Sequence, residues 1–106
     1  MEEDDAYRIT LRQEAADAVR LVLVGEFDLR NAPELAAALT AAVRTPGAAR
    51  VVVDLAGTTF LDSSGIAAIA AAYEAALDAG RELRLDNPQR QVRRLFEILE
   101  MTVLFD

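Results

Sequence analysis

The N-terminal part of the chain alternates between apolar and polar residues, a pattern typical of β-strands with one buried face. Residues 7–13 begin with three apolar residues at alternate positions, separated by arginine and threonine. Residues 19–24 predict a second strand, which Gly25 ends. Because only residues 14–17 connect the two strands, we expect an antiparallel hairpin.

The pattern then changes to helical spacing. Asn31 is a good N-cap residue, Pro33 suits a first turn, and Glu34 follows three positions after the cap, which together resemble a capping box. The apolar residues that follow form one stripe: Leu35, Ala38, Leu39, Ala42 and Val43. Residues 45–47, Thr-Pro-Gly, end this predicted helix.

The middle of the chain predicts a buried strand followed by a long helix. Residues 50–56 include three consecutive valines and favour a central strand, whereas residues 57–59 favour a loop. The helix that begins after Gly65 has a predicted inward stripe: Ile66, Ile69, Ala70, Tyr73 and Leu77. Gly80 is expected to end this helix.

The C-terminal quarter predicts one more strand, at residues 82–86, and a helix that Asn87 and Pro88 open. The predicted inward residues of that helix are Val92, Leu95, Phe96 and Leu99. Residues 103–105 favour a terminal strand. The order is β-β-α-β-α-β-α-(β), in which helices between strands imply right-handed parallel crossovers. We therefore predict an α/β fold: a mixed β-sheet with an N-terminal antiparallel hairpin, then parallel crossovers, with helices packed against it.

Length and composition limit the function classes. The 106 residues predict a single domain, 1–106, in which residues 1–5 form a flexible acidic tail. The chain contains no histidine, lysine or cysteine. The usual general base, Schiff-base lysines and thiolate nucleophiles or zinc ligands are therefore missing. We predict no catalytic residue, no cofactor and no metal site, and hence a protein that is not an enzyme.

The net charge of −7 bears on the choice of partner. Nucleic acids and anionic membranes both attract clustered positive charge, so neither is expected here. A partner protein with a basic face fits better, although acidity also serves solubility alone. The acidic start lacks the basic and apolar regions of a signal peptide, and no apolar run is long enough to cross a bilayer. We therefore expect a cytoplasmic location.

Residues 62–65, Asp-Ser-Ser-Gly, stand directly before the long helix. A serine hydroxyl at this position can cap the helix, and Gly65 permits a close approach of backbone. A phosphate on one of these serines would be tolerated at the positive end of a helix, yet would change the potential of any surface built around it. The segment thus has two interpretations, a capped helix and a phosphorylation switch.

One side of the long helix carries only small side chains: Ala67, Ala68, Ala71, Ala72 and Ala75. A partner protein could lie close against such a bare surface. The simpler explanation is that alanine is the best helix former and that this chain uses it throughout, at 21 positions.

These segments resemble the STAS family, and within it the bacterial anti-sigma-factor antagonists. Residues 25–28, Gly-Glu-Phe-Asp, look like the family's signature after its second strand. Residues 51–55 and 60–66 look like its central strand and phosphorylation loop, and residues 85–88 with 92–96 look like its last strand and helix. The three parts occur in the right order with the right gaps, and the resemblance covers nearly the whole chain.

The resemblance implies that Ser63, directly after the loop aspartate, is phosphorylated by a partner anti-sigma factor with a histidine-kinase-like ATPase fold; Ser64 is the alternative. The unphosphorylated protein would bind that serine kinase and free the sigma factor. The phosphorylated protein would release it, and a phosphatase would reset the switch. The predicted partner-binding residues are Asp28, Asp62, Ser63, Ser64, Gly65, Ala67 and Ala68. We expect a monomer or weak dimer.

Some alternatives stay open at this stage. Asp28 matches a family position near the kinase contact, but a turn aspartate bonded to local backbone explains it equally. The domain could also serve as an unphosphorylated scaffold or subunit of a larger complex. An enzyme with paired carboxylates would use Asp28 and Asp62. Asp54 is either a functional acid or a hydrogen-bonded residue at a strand end.

The last helix departs from the family pattern. The family's glycine-leucine pair is replaced by Glu100 and Met101, so the helix is expected to end without a glycine cap. Its basic cluster is predicted to pair with Glu97 and Glu100, rather than with an acidic partner. The members of this cluster are Arg90, Arg93 and Arg94.

Overall fold

The computed structural model describes residues 7–105, so the predicted tail at residues 1–5 lies outside the described part of the chain. Within residues 7–105, four strands, three α-helices and a short 3₁₀ helix follow one another. They are β1 (Tyr7–Ala15), β2 (Ala18–Phe27), α1 (Ala32–Val43), β3 (Arg50–Leu61), α2 (Ser63–Asp78), β4 (Glu82–Asp86), α3 (Arg90–Ile98) and the 3₁₀ helix Thr102–Phe105.

The four strands form one mixed sheet in the order β1-β2-β3-β4. The first pair is antiparallel, and the other two pairs are parallel. This confirms the predicted α/β fold with its N-terminal hairpin. Residues such as Leu21, Leu23 and Leu85 alternate with less buried residues and are buried in one core together with the apolar residues of the helices. No helix within residues 7–105 is long and apolar enough to cross a membrane.

The opposite face of the sheet carries a network of charges around Arg20. Its guanidinium lies 2.8 Å from Glu14, 2.8 Å from Asp54 and 3.3 Å from Asp86. Burial raises the pKa of the Asp54 carboxyl, but hydrogen bonds, first that from the Ala56 N–H, outweigh this effect and lower it. Asp54 is therefore a hydrogen-bonded residue that ties neighbouring strands together.

The predicted capping box at the start of α1 is wrong. Asn31 occupies the N-cap position, but its side chain makes no cap hydrogen bond. Its amide oxygen accepts from the Asp28 N–H, and its amide nitrogen donates to the Glu26 carbonyl, both at 2.9 Å. Glu34 accepts a hydrogen bond from the Tyr7 hydroxyl instead of reaching back to the cap. Asn31 thus satisfies partly buried backbone groups at the end of β2 and in the turn after it.

Strands β2 and β3 both continue beyond their predicted ends. Gly25 lies inside β2 with a positive φ of 106°, and residues 57–59 belong to β3 and not to a loop. The pairing of the two strands continues through two register irregularities near Gly25. Thr58 is fully buried, and its hydroxyl donates to the Leu23 carbonyl at 2.8 Å. Register irregularities of this kind, such as β-bulges, allow strand pairing to continue past residues that break the alternation of apolar and polar positions.

The C-terminal segment forms a 3₁₀ helix, so the predicted terminal strand is wrong. Leu104 is buried, and the Phe105 ring packs edge-on against Phe96 with centroids 5.5 Å apart. These contacts hold the segment by side-chain packing without strand pairing. The chain leaves α3 through Glu100, whose φ of 58° is left-handed, which agrees with the expected absence of a glycine cap.

Candidate functional site

The site lies where β2 and β3 end at the same edge of the sheet. Phe27 and Leu61 are partners in the parallel register. Each strand is followed by an aspartate, and the Asp62 N–H donates to the Phe27 carbonyl at 3.2 Å. The fold therefore brings the loop at Asp28 next to the start of α2, where Ser63 lies. We call Asp28, Asp62, Ser63 and Ser64 the serine site.

Asp62 caps α2, so the prediction that a serine hydroxyl caps this helix is wrong. Its carboxylate accepts from the Ser64 N–H at 2.9 Å and from the Gly65 N–H at 3.2 Å. The Ser64 hydroxyl donates to the same oxygen at 2.6 Å. These bonds lower the pKa of the Asp62 carboxyl, the Ser64 hydroxyl being the largest cause, and the nearby Leu29 N–H adds a smaller effect.

The two serines differ in their surroundings. Ser63 is exposed at the first position of α2, and its hydroxyl has no hydrogen-bond partner among residues 7–105. Ser64 is half-buried, and its hydroxyl is held by Asp62. An enzyme that transfers a group to oxygen would reach the Ser63 hydroxyl first.

Gly65 is buried because the start of α2 approaches the strand ends closely. A Cβ at this position would lie 2.8 Å from Leu61 Cδ2 and 3.3 Å from the Phe27 carbonyl oxygen. The close approach predicted for this glycine is therefore confirmed. It fixes the distance between the serine site and the sheet.

Asp28 binds the local chain and a neighbouring arginine. Its carboxylate accepts from the Arg30 N–H at 3.0 Å and lies 2.9 Å from Arg30 Nη2. The Arg30 side chain is the main cause that lowers the pKa of the Asp28 carboxyl. A carboxyl group that acts as a general acid needs a raised pKa, whereas those of both Asp28 and Asp62 are lowered. The two carboxylates are neighbours, but their environments favour accepting hydrogen bonds over donating protons.

No group of three or more acidic side chains within residues 7–105 is arranged to hold a metal ion.

An apolar pocket of about 530 Å³ opens beside Ser63, between α2 and α3. We call it the serine pocket. Its lining residues are Leu61, Asp62, Ser63, Ile66, Ala67, Ala70, Leu95, Ile98, Leu99 and Met101. Ile98 is 66% exposed and Leu99 49% exposed, although Leu99 was predicted to face the core. Leu29, on the loop that follows β2, is 76% exposed.

Sequence reasoning missed these apolar residues around Ser63. The helical spacing of α3 identified Val92 and Phe96 as core residues correctly. In the sequence, Ile98 is an apolar residue outside the predicted inward stripe of the last helix, and this position could have indicated an exposed apolar surface. Leu29 carried a weaker signal, as a large apolar residue inside a polar turn.

The predicted alanine surface divides into two parts. Ala67 lines the serine pocket, whereas Ala68 lies on the other side of α2, so the two predicted partner-binding alanines do not share one surface. Ala68 belongs to a second cavity of about 510 Å³ between α1 and α2, which we call the alanine groove. Its other lining residues are Ala36, Thr40, Val43, Arg44, Ala71, Ala72, Ala75, Ala79 and Arg81.

The ends of the predicted helix stripes also differ from the prediction. Ala72, predicted on the bare surface, is buried at 7% exposure, whereas Leu77, predicted inward, is 55% exposed. Gly80 has a φ of 72° and follows the C-cap residue of α2, Ala79, which confirms the predicted end of that helix.

One member of the basic cluster on α3, Arg93, pairs with a glutamate of its own helix. Arg93 lies 3.3 Å from Glu97, which confirms the predicted pairing for this arginine. The Arg93 guanidinium also stacks over the Phe105 ring, 4.7 Å from its centroid.

Comparison with known proteins places these features in a family. The family model described as "Mlab, STAS domain" matches residues 10–106. An anti-sigma factor antagonist from Mycobacterium paratuberculosis superposes with a TM-score of 0.81 and 24% identity, over 99% of this chain and 87% of that one.

The anti-sigma factor antagonist SpoIIAA is similar in both of its solved forms. The unphosphorylated form gives a TM-score of 0.80 at 19% identity, over 93% of this chain and 86% of that one. The phosphorylated form, from Bacillus, gives 0.74 at 18% identity, over 93% of this chain and 89% of that one. The structures agree in fold, and the family model spans nearly all of the sequence: the chain belongs to the STAS domain family.

Proposed function

We propose that this protein is an anti-sigma-factor antagonist. In its unphosphorylated state it binds an anti-sigma factor that is also a serine kinase, and the sigma factor is released. Phosphorylation of Ser63 ends this binding, and a phosphatase restores it. The protein itself is no enzyme: the kinase supplies the base and the ATP site. This role belongs to the cytoplasm, and we expect a monomer or weak dimer.

One observation carries the proposal: an exposed serine stands at the mouth of an apolar pocket. The Ser63 hydroxyl is accessible, whereas that of Ser64 is bound to Asp62 at 2.6 Å. Exposed Ile98 and Leu99 lie on the same pocket. Apolar side chains next to a modifiable hydroxyl suit a surface that a protein partner covers and that a charge can disrupt.

A phosphate on Ser63 would add about −1.5 to −2 charges at the rim of this pocket. A partner that buries Leu99 would then have to desolvate the phosphate or leave it unpaired, and either is costly. The fold need not change for this effect. SpoIIAA supports this point, because the present chain superposes on both its unphosphorylated and its phosphorylated forms.

The proposal is tested by capture and phosphorylation. The tagged protein is used to isolate partners from its native cells, and a captured kinase of the histidine-kinase-like ATPase class is then purified. This kinase is incubated with ATP and the wild-type, Ser63→Ala or Ser64→Ala protein. We expect phosphate on Ser63 by mass spectrometry in the wild-type and Ser64→Ala proteins and none in Ser63→Ala.

Binding of the same variants separates the switch from mere substrate recognition. Ser63→Ala should bind the kinase as the unphosphorylated wild type does, and Ser63→Glu should bind more weakly, although one carboxylate imitates a phosphate only in part. Equal affinity of both variants would contradict the proposed switch.

A second candidate is a STAS subunit that stays bound in a larger complex and is never phosphorylated. The alanine groove favours it, because this second cavity between α1 and α2 lies outside the serine pocket. In that case the captured partners would include no kinase, Ser63 would be unmodified in cells, and a bulky substitution in the groove, Ala71→Trp, would reduce capture.

A further inference from the structure

An arginine next to the serine site, Arg30, is paired with the Asp28 carboxylate in the unphosphorylated protein. We propose that Arg30 exchanges partners on phosphorylation: it leaves Asp28 and pairs with the phosphate on Ser63. The inference rests on the proposed function, which supplies the phosphate. It adds Arg30 as a residue that binds the phosphorylated serine.

The present pair is of a kind that separates easily. Arg30 Nη2 lies 2.9 Å from Asp28 Oδ2, and Arg30 Nε lies 3.2 Å from each carboxylate oxygen. The Arg30 side chain is 75% exposed, and that of Asp28 is 22% exposed. An exposed arginine–carboxylate pair contributes little net stability, so a stronger acceptor nearby can displace the carboxylate.

The loop holds Arg30 close to Ser63. The Asp62 N–H donates to the Phe27 carbonyl at 3.2 Å, and the Leu29 N–H helps to lower the pKa of the Asp62 carboxyl. The residue before Ser63 is therefore hydrogen-bonded to the strand end from which the loop with Arg30 departs. Arginine has the longest reach of the side chains on this loop.

The N-terminus of α2 cannot supply all the hydrogen bonds that a phosphate on Ser63 would accept. Its Ser64 and Gly65 N–H groups already donate to Asp62, at 2.9 and 3.2 Å. A phosphate on Ser63 would also stand beside two ionised carboxylates, those of Asp28 and Asp62. On its other side, the described lining residues of the serine pocket from α3 onward are apolar and provide no cation.

A guanidinium prefers the phosphate to the carboxylate. The phosphate carries up to about two charges and three acceptor oxygens, and it accepts two parallel N–H bonds from arginine. Transfer of Arg30 would bridge the loop at residues 28–30 to the start of α2 and leave the Asp28 carboxylate without its arginine. The charge of the surface beside the serine pocket would then change at both Ser63 and Asp28, although only Ser63 is modified.

The test uses the full chain with phosphoserine introduced at position 63 during translation, and ³¹P NMR. The second pKa of the phosphate, near 6 in free phosphoserine, should be lowered in the wild-type protein. Arg30→Gln should raise it by about half a pH unit. The side-chain N–H signal of Arg30 should also follow the titration of the phosphate.

Arg44→Gln is the matched control, since it removes the same charge directly after α1. The helix α1 begins next to the loop at residues 28–30 and has 12 residues, so its length separates Arg44 from that loop by about 18 Å. This distance exceeds a Debye length at physiological salt, so the charge of Arg44 is screened from the serine site. Equal phosphate pKa values in the two variants would overturn the proposal. No kinase takes part, so the outcome is independent of the proposed function, which instead fails if Ser63 is never phosphorylated in cells.

Discussion

At the scale of single residues, one carboxylate arranges the serine site. Asp62 bonds two N–H groups of α2 and the Ser64 hydroxyl, and so leaves Ser63 as the accessible serine. We expect Asp62→Ala to lower the free energy of unfolding by about 1 kcal/mol, because helix caps of this type are worth roughly 0.5–2 kcal/mol. Asp62→Asn should lose less, since asparagine also caps helices. Urea unfolding measures both.

The same residue predicts a dependence on pH. The pKa of Asp62 is lowered in the folded protein, so its stabilising effect is present above the pKa of the unfolded chain, about 3.9. This stabilisation is lost as the pH falls from about 3.9 through the lower pKa that Asp62 has in the folded protein. The stability difference between wild type and Asp62→Asn should thus be constant above about pH 5 and narrow below about pH 4. A difference that does not change with pH would contradict the assigned role of the charge.

At the scale of elements, the sheet is tied together by Arg20. Asp54 and Asp86 are register partners on β3 and β4, and Arg20 on β2 lies between their charges. We expect Arg20→Met to destabilise the protein by about 2 kcal/mol, less than the loss of a fully buried partner. Thermal or urea unfolding measures this change.

Two further variants make the Arg20 prediction specific. Arg8→Met removes an exposed arginine from the same face of the sheet and should change stability by less than about 0.5 kcal/mol. Adding Asp86→Asn to Arg20→Met should recover part of the loss, because it removes one of two adjacent like charges. If the double variant is no more stable than Arg20→Met, repulsion between Asp54 and Asp86 does not explain the loss.

The elements themselves were predictable where periodicity was strong. The limits of β4 and the core positions Leu35 and Leu39 of α1 follow from the sequence, since apolar spacing there reflects burial directly. The continuation of β3 through residues 57–59 was not predictable, because glycine and threonine favour turns unless a neighbouring strand pairs with them. The 3₁₀ segment at Thr102–Phe105 depends on the distant Phe96 ring, which no local pattern shows.

The third helix presents an apolar edge to the serine pocket, and this edge should contribute to partner binding. Leu99→Ser should weaken binding of the proposed kinase partner at least about tenfold, as expected for an apolar anchor that becomes buried at an interface. It should hardly change stability, since Leu99 is 49% exposed. Leu77→Ser is the control: this leucine on α2 is 55% exposed and lines neither cavity. Equal affinities of the two variants, by calorimetry, would exclude the pocket edge from the interface.

At the scale of the whole molecule, the site is a product of topology. The sequence predicted Asp28, Asp62 and Ser63 as site residues, and the parallel pairing of β2 with β3 brings them together. The serine pocket was not predictable in the same way. It requires α3 to end beside the start of α2, and helix packing of this kind depends on the complete core. The division between Ala67 and Ala68 has the same origin.

The net charge of −7 is also a property of the whole molecule, and it predicts how the partner associates. A basic partner surface would be attracted over a distance that salt shortens, so the association rate constant should fall about tenfold or more between 50 and 500 mM NaCl. The dissociation rate should change much less, because the apolar contacts at Leu99 are not screened. Stopped-flow measurements on Leu99→Ser separate the two effects: its dissociation should be faster at every salt concentration, while its association should keep the wild-type salt dependence. A salt-independent association rate would mean that the acidity does not contribute to partner recognition and serves solubility instead.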